Sequence, residues 1–461
     1  MAVNLEELAA PEPDGSPVGL WPTSMRRQAG ELTLGGVPTS QLIAQAGTPV
    51  FVVDEADVRM RATAWKRAMD SAFAGLAGAD VFYAGKAFLC VAVARWMHDM
   101  GLAIDTCTEG ELRTALAAGV PGSRLGLHGN NKSRAEIELG LDAGVSHFVI
   151  DSLAELALVE SIAARRGDVA RVVLRVTTGV HAGGHEYIST AHEDQKFGLS
   201  IASGAAERAI EETLAAEHLE LAGLHSHIGS QIVNVAAFAV AAKALLDLRA
   251  RTAKMTDHVI PEVDFGGGYG VRYTVADAVP PSPEEYARVL AAAVQRHVAD
   301  SGLTPPRVSV EPGRSIIAPS TVTLYRVGTI KPVVLDDGVR RYVSVDGGMS
   351  DNIRPALYGA DYTAALANRQ PSEECVRTRI VGKHCESGDV VVKDLALSAD
   401  LGPGDVLAVP VTGAYGRSMA SNYNTVPRPG VVAVRDGRWR WILRPESVSD
   451  VLALDPDWAH V

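Results

Sequence analysis

Residues 102–152 read LAIDTCTEGELRTALAAGVPGSRLGLHGNNKSRAEIELGLDAGVSHFVIDS, and the rhythm of this stretch decides the fold. Three short apolar runs, LAIDTCT (102–108), RLGLHG (124–129) and HFVIDS (147–152), are separated by two amphipathic ones, EGELRTALAAG (109–119) and SRAEIELGLDAG (133–144). The apolar runs are continuous rather than alternating. Strands of that kind are buried on both faces, and strands alternating with helices build a parallel sheet.

The same rhythm extends in both directions. Upstream stands VFYAGK (81–86). Downstream stand RVVLRV (171–176), LAGLHSHIGS (221–230), EVDFGGGYG (262–270) and RVSVEPGR (307–314), with SLAELALVESIAARRG (152–167) as a further helical run. Eight such units over about 230 residues fit a (β/α)8 barrel. An open doubly wound sheet is disfavoured because no GxGxxG opens the first unit. Beyond residue 317 the pattern turns β-rich, in TVTLYRVGTIKPVVL (321–335), RRYVSVDG (340–347), GDVVVKD (388–394), GDVLAVPV (404–411) and GVVAVRDGRWRWILR (430–444). The expected organisation is therefore a loose N-terminal arm (1–30), a strand and short helix joining the β-domain (31–46), a barrel (47–316) and a C-terminal β-domain (317–461).

Bulk properties agree. A chain of 461 residues is long enough for two or three domains. A net charge of −12 argues against a general nucleic-acid or anionic-membrane binder. No apolar run is long enough to cross a bilayer, and MAVNLEELAAPEPDG lacks the basic start and apolar core of a secretion signal. Four scattered cysteines (90, 107, 375 and 385) suggest neither a disulfide framework nor a zinc site, and fit a reducing cytoplasm.

In such barrels chemistry sits at the C-terminal ends of the strands. Here the first strand ends in Lys86, where desolvation would free an amine for Schiff-base chemistry, unless the side chain simply snorkels to the surface. The sixth ends in His225, His227 and Ser230. The two histidines point one way and could bind metal or stack on a flat cofactor, although no third ligand is spaced nearby and His225 also reads as a core residue. The seventh ends in Gly266, Gly267, Gly268 and Gly270, where the backbone can approach a phosphate. The eighth ends in Glu311 and Arg314. That carboxylate could hold a pyridinium nitrogen protonated or form a structural ion pair with Arg314. Together these are the needs of pyridoxal 5'-phosphate: an amine, a phosphate cradle, a flat contact and an acid.

FYAGKA (82–87), HGNNKS (128–133), HEYIST (185–190), DQKFG (194–198), HSHIGSQI, DFGGGYG, VEPGR, DGGMSDNIRPALY (346–358), GKHCESGD (382–389) and TGAYGRSMASNYN (412–424) resemble the diaminopimelate decarboxylases, closest to the actinobacterial type. The resemblance runs from about residue 32 to 450. It implies a pyridoxal-phosphate barrel with a C-terminal β-domain. The implied reaction is removal of carbon dioxide from the D-configured centre of meso-2,6-diaminopimelate, giving L-lysine.

By this resemblance Lys86 matches the Schiff-base lysine and His227 the imidazole on the ring. Ser230, Gly267, Gly268, Gly313 and Arg314 match the phosphate shell, and Glu311 the partner of the pyridine nitrogen. Arg314, Arg354, Tyr358, Glu386 and Tyr415 match substrate contacts, with Tyr415 also facing the cofactor. Cys385, the implied proton donor, and Glu386 match a pair supplied by the second subunit of a homodimer. Forked guanidinium groups suit a distal carboxylate, and Glu386 suits an ammonium. The sequence departs from the family at Gly416, usually Cys, and at Gly183 and Gly184, which replace a His and a small polar residue. The residues alone leave open a decarboxylase of another amino acid, a non-catalytic pyridoxal-phosphate carrier, and a sugar-phosphate barrel enzyme.

Overall fold

The computed structural model describes residues 8, 10–179, 196–336 and 338–460. Gly183, Gly184 and the HEYIST segment lie outside the described residues. The chain forms two compact units. One holds Arg61–Gly270 and Pro280–Gly313, the other Met1–Met60, Val271–Val279 and Arg314–Val461.

The first unit is a closed barrel of eight parallel strands: β1 (Ala79–Ala84), β2 (Ala103–Thr106), β3 (Leu125–Leu127), β4 (His147–Ile150), β5 (Ala170–Thr177), β6 (Leu219–His225), β7 (Glu262–Asp264) and β8 (Arg307–Val310). Each follows its predecessor around the ring, and Val308 of β8 pairs with Ala79 of β1 to close it. These are the eight apolar runs of the sequence. Strands such as β2 and β4 are buried at every position, as a parallel sheet covered on both faces requires. The intervening helices begin and end where local chemistry dictates. Ser133 and Ser282 each form a capping box with the Glu three residues on, at Glu136 and Glu285, and Pro283 occupies the first turn. Gly144, Gly167 and Gly302 close their helices in the left-handed conformation.

The second unit is mainly β. Its large sheet orders the strands Val390–Ser398, Cys375–Val381, Gly338–Val345, Thr321–Leu335, Val50–Asp54, Gly430–Arg435 and Arg438–Leu443, with Val406–Pro410 also paired to Thr321–Leu335. A three-stranded sheet is built from Arg26–Gln28, Glu31–Leu34 and Val37–Pro38.

Four segments differ from expectation. Val50–Asp54 belongs to the β unit rather than the barrel, antiparallel to Thr321–Leu335 and parallel to Gly430–Arg435. VFVVD is a continuous apolar run that suits a central strand of either sheet; only its pairing decides. Val271–Val279, between β7 and β8 in the chain, also clusters with the β unit, as do Arg314–Ile317. Nor is all of 1–30 a loose arm: Leu20, Trp21 and Met25 are buried in one core with Leu32, Val37, Val52, Leu324 and Val432. Trp21 also donates through Nε1 to Pro11 O at 2.7 Å. Irregularly spaced loop residues carry no period, which hid them. Among the described residues no helix is long and apolar enough to cross a membrane.

Candidate active site

In the barrel unit the polar residues at the strand ends gather around one buried carboxylate. Glu311 is 4% exposed. His225 Nε2 lies 2.9 Å and His128 Nε2 3.4 Å from its Oε1. The ring N–H groups are not aligned for full hydrogen bonds, so Oε1 keeps unspent acceptor capacity. His128 Nε2 also lies 3.3 Å from Asp105 Oδ1, and the rings of His128 and His225 meet edge to face at 5.3 Å.

Three buried carboxyls this close cannot all be charged. Burial opposes ionisation of Glu311, but His225, His128 and Lys86 outweigh it and hold that carboxyl well below the usual range. Burial, then the Glu311 charge, pushes Asp105 well above its usual value and Asp264 up to about 7. Glu311 is thus the anion of the cluster. Two triples here, Asp105–His128–His147 and His128–His225–Glu311, have a spacing that a cation could bridge; with one firm anion among them they read as a proton-sharing group, and none is assigned as a metal ligand.

Lys86 follows β1 directly, in the 3-10 turn Gly85–Ala87. Its side chain is exposed, so the desolvation expected of it is absent, because a one-turn extension carries it past the apolar strand. Its charge nevertheless acts on Asp105, His227 and Glu311. His227 is half-buried and accepts from Gly267 N through Nδ1 at 3.3 Å. Burial drives its pKa down to about 3, so the ring is neutral.

The loops after β6, β7 and β8 touch backbone to backbone. Ile232 N donates to Gly268 O at 2.8 Å and Glu311 N to Gly266 O at 2.9 Å. A Cβ on Gly267 would stand 2.4 Å from Glu311 O, and one on Gly268, at φ +103°, 2.2 Å from Gly229 O. A Cβ on Gly313 would stand 2.9 Å from Ala84 O, and Ser230 is exposed beside this cradle. These features fit pyridoxal phosphate: an accessible amine, a neutral flat ring, a glycine cradle and a buried carboxylate oxygen able to accept from a pyridinium N–H.

The β unit carries the other singled-out residues. Arg354 is buried and Arg314 half-buried. Arg314 lies over the Tyr415 ring at 4.7 Å, and Tyr415 holds φ +60°. Cys385 and Glu386 are exposed on a turn that Asp389 pins, its carboxylate accepting from Met349 N at 2.7 Å and His384 N at 2.8 Å. His384 is fixed in turn by Ser350 Oγ at 2.8 Å and Asn424 Oδ1 at 3.1 Å. Tyr358 is 63% exposed. At Gly416 a Cβ would stand 2.7 Å from Thr412 O and 3.1 Å from the Phe51 ring, so this backbone has no place for a cysteine there.

Not singled out from sequence are His147, Asp105, His128 and Asp264 in the barrel cluster, and Tyr273 and Tyr362, which bond Arg314 and Arg354. Asp105, His128 and Asp264 each close an apolar strand, the very signal that picked out Lys86 and Glu311. Tyr273 and Tyr362 carry no local signal.

Comparison with known proteins agrees. Residues 55–318 match the family model described as pyridoxal-dependent decarboxylase, pyridoxal binding domain. The diaminopimelate decarboxylase of Mycobacterium tuberculosis is 48% identical over 442 residues, covering 95% of this chain and 97% of that one. That of Bacillus subtilis is 44% identical over 433 residues, 94% and 97%. Among solved structures, diaminopimelate decarboxylase from M. jannaschii in complex with L-lysine is similar with a TM-score of 0.88 at 30% identity, covering 94% of this chain and 97% of that one. By fold, by the residues gathered at the barrel mouth and by near full-length identity, the chain belongs to the diaminopimelate decarboxylase family of pyridoxal-dependent decarboxylases.

Proposed function

We propose that this protein decarboxylates meso-2,6-diaminopimelate to L-lysine and carbon dioxide, with pyridoxal 5'-phosphate held at Lys86. The observation that carries the reading is Glu311: a buried carboxylate that His225, His128 and Lys86 keep anionic, with an oxygen still able to accept a proton donor. The substrate assignment rests on the names of the relatives and on the lysine complex of the M. jannaschii enzyme.

Pyridoxal phosphate, when bound, supplies the electron sink that takes up the electrons left by departing carbon dioxide. The chain does the rest. Lys86 offers the primary amine that the aldehyde requires. Glu311 would hold a proton at the ring nitrogen, His227 would cover the ring as a neutral imidazole, and Ser230, Gly267, Gly268, Gly313 and Arg314 would receive the phosphate. Arg314, Arg354 and Tyr358 take the distal carboxylate, Glu386 the distal ammonium, and Tyr415 both cofactor and substrate. Cys385 Sγ returns a proton to the substrate carbon that lost carbon dioxide. The exposed turn that bears Cys385 and Glu386 suits residues lent to a second subunit, so we assign a homodimer. Four cysteines joined in no disulfide among the described residues suit a reducing cytoplasm.

The test is release of L-lysine and carbon dioxide from meso-diaminopimelate by the purified protein with pyridoxal phosphate, with Lys86→Ala as control. Lysine from the wild type alone supports the reading. A cofactor-loaded, yellow protein that yields no lysine refutes the substrate assignment while sparing the cofactor.

A further inference from the structure

Most buried arginines of this chain are satisfied by backbone. Arg249 donates to Ile260 O and Thr304 O, and Arg341 to the carbonyls of Ala399, Leu397 and Ser398. Each is held by several such bonds, although Arg341 Nε is without a partner. Arg354 is held differently. It is 6% exposed, yet its Nε has no hydrogen-bond partner, and among the described residues no carboxylate lies within ion-pair distance of it. What holds it is aromatic. Its guanidinium lies 4.5 Å over the Tyr273 ring, and Nη1 donates to Tyr362 Oη at 2.6 Å.

Tyr273 does a second thing. Its Oη accepts from Arg314 Nη1 at 2.6 Å. One phenol therefore touches both arginines, through its oxygen and through its face. Tyr273 and Tyr362 pack edge to face at 5.2 Å, and both are buried, at 5% and 4% exposure. Aromatic faces and phenol oxygens hold a guanidinium in place without cancelling its charge. At Arg354 they leave Nε for a ligand. A carboxylate in that place would exhaust the donors and the charge together. Tyr273 reaches this position because Val271–Val279 packs in the β unit although β7 and β8 on either side of it belong to the barrel.

We propose that Tyr273 and Tyr362 are positioning residues that hold Arg314 and Arg354 as one carboxylate clamp and so set the specificity of the site for substrates whose far end carries a carboxylate. This rests on the proposed decarboxylase reading and deepens it. The two phenols touch the arginines and not the reacting carbon. Their loss acts on binding of the distal carboxylate and hardly on the chemical step.

L-Lysine keeps that carboxylate and cadaverine lacks it, so the two ligands separate the clamp from the rest of the site. The experiment titrates the holoenzyme with each, following the cofactor absorbance, for wild type, Tyr273→Phe and Tyr362→Phe. Phenylalanine keeps the ring and deletes only the hydroxyl, and an unchanged cofactor spectrum confirms a folded site. Loss of one hydrogen bond to a charged group is expected to weaken L-lysine roughly tenfold and to leave cadaverine within about twofold. With diaminopimelate, KM should rise by a similar factor while kcat falls far less. Equal weakening of both ligands, or a fall in kcat at constant KM, overturns the proposal. A wild type that prefers L-lysine to cadaverine yet never decarboxylates diaminopimelate keeps the clamp and refutes the decarboxylase reading; one that binds both ligands equally refutes the clamp.

Discussion

Replacing Asp264 by Asn should change how stability depends on pH. Asp264 is 6% exposed; Oδ1 accepts from Gly266 N at 2.6 Å and Oδ2 from Ser309 Oγ at 2.7 Å. Burial and the Glu311 charge raise its carboxyl from 3.8 to about 7. Between those two values the folded chain keeps a proton that the unfolded chain has lost. The contribution of Asp264 to folding is therefore greatest at low pH and weakens as pH rises, by about 1 kcal/mol per pH unit, levelling off above about pH 7. Asparagine does not titrate. It keeps the acceptor for Gly266 N, and its amide can donate to Ser309 Oγ. From pH 5 to pH 7 the variant should gain about 2 kcal/mol on the wild type, or about 5 °C in Tm for a unit of this size. Thermal unfolding of the cofactor-free protein by circular dichroism at pH 5, 6, 7 and 8 measures it. Parallel Tm curves for the two proteins would show that Asp264 is already ionised in the folded state, and the assignment of a single anion to the cluster would fail with it.

Other substitutions test other joints. Gly268→Ala combines φ +103° with a Cβ 2.2 Å from Gly229 O; it should cost about 2 kcal/mol or more and weaken pyridoxal-phosphate binding at least tenfold in an absorbance titration, and wild-type affinity would count against the cradle. Lys132 Nζ donates to Gly129 O at 2.7 Å and, in buried bonds, to Val149 O at 2.5 Å and Glu155 Oε1 at 2.9 Å. Lys132→Met should lose about 3–5 kcal/mol in denaturant unfolding, and adding Glu155→Leu should restore part of it; no recovery would mean the pair is not what matters. Trp21→Ala should cost about 3–5 kcal/mol, because the ring is 2% exposed in the β-unit core, whereas a truly loose arm would make it silent. Cys385→Ala should lower kcat by about a hundredfold or more with cofactor affinity unchanged, and undiminished turnover would remove Cys385 as the proton donor.

What the sequence discloses about this fold depends on whether a residue's partner is implied by its own neighbours. The eight barrel strands are legible because each lies between helices whose caps are written locally, as in Ser133 with Glu136 and Ser282 with Glu285. Burial on both faces then leaves only one kind of sheet. Val50–Asp54 has the same local writing and a different destination, since its neighbours Thr321–Leu335 and Gly430–Arg435 lie hundreds of residues away. The site divides in the same way. Lys86, His227 and Glu311 end strands already recognised as strands, so position alone marks them. Tyr273 and Tyr362 sit in segments with no period or motif, and their contacts with Arg314 and Arg354 are fixed by tertiary packing. A buried arginine in a sequence looks like a liability that some carboxylate must answer. Here two phenols answer it without cancelling its charge, and that contact, invisible in one dimension, is what the proposed clamp rests on.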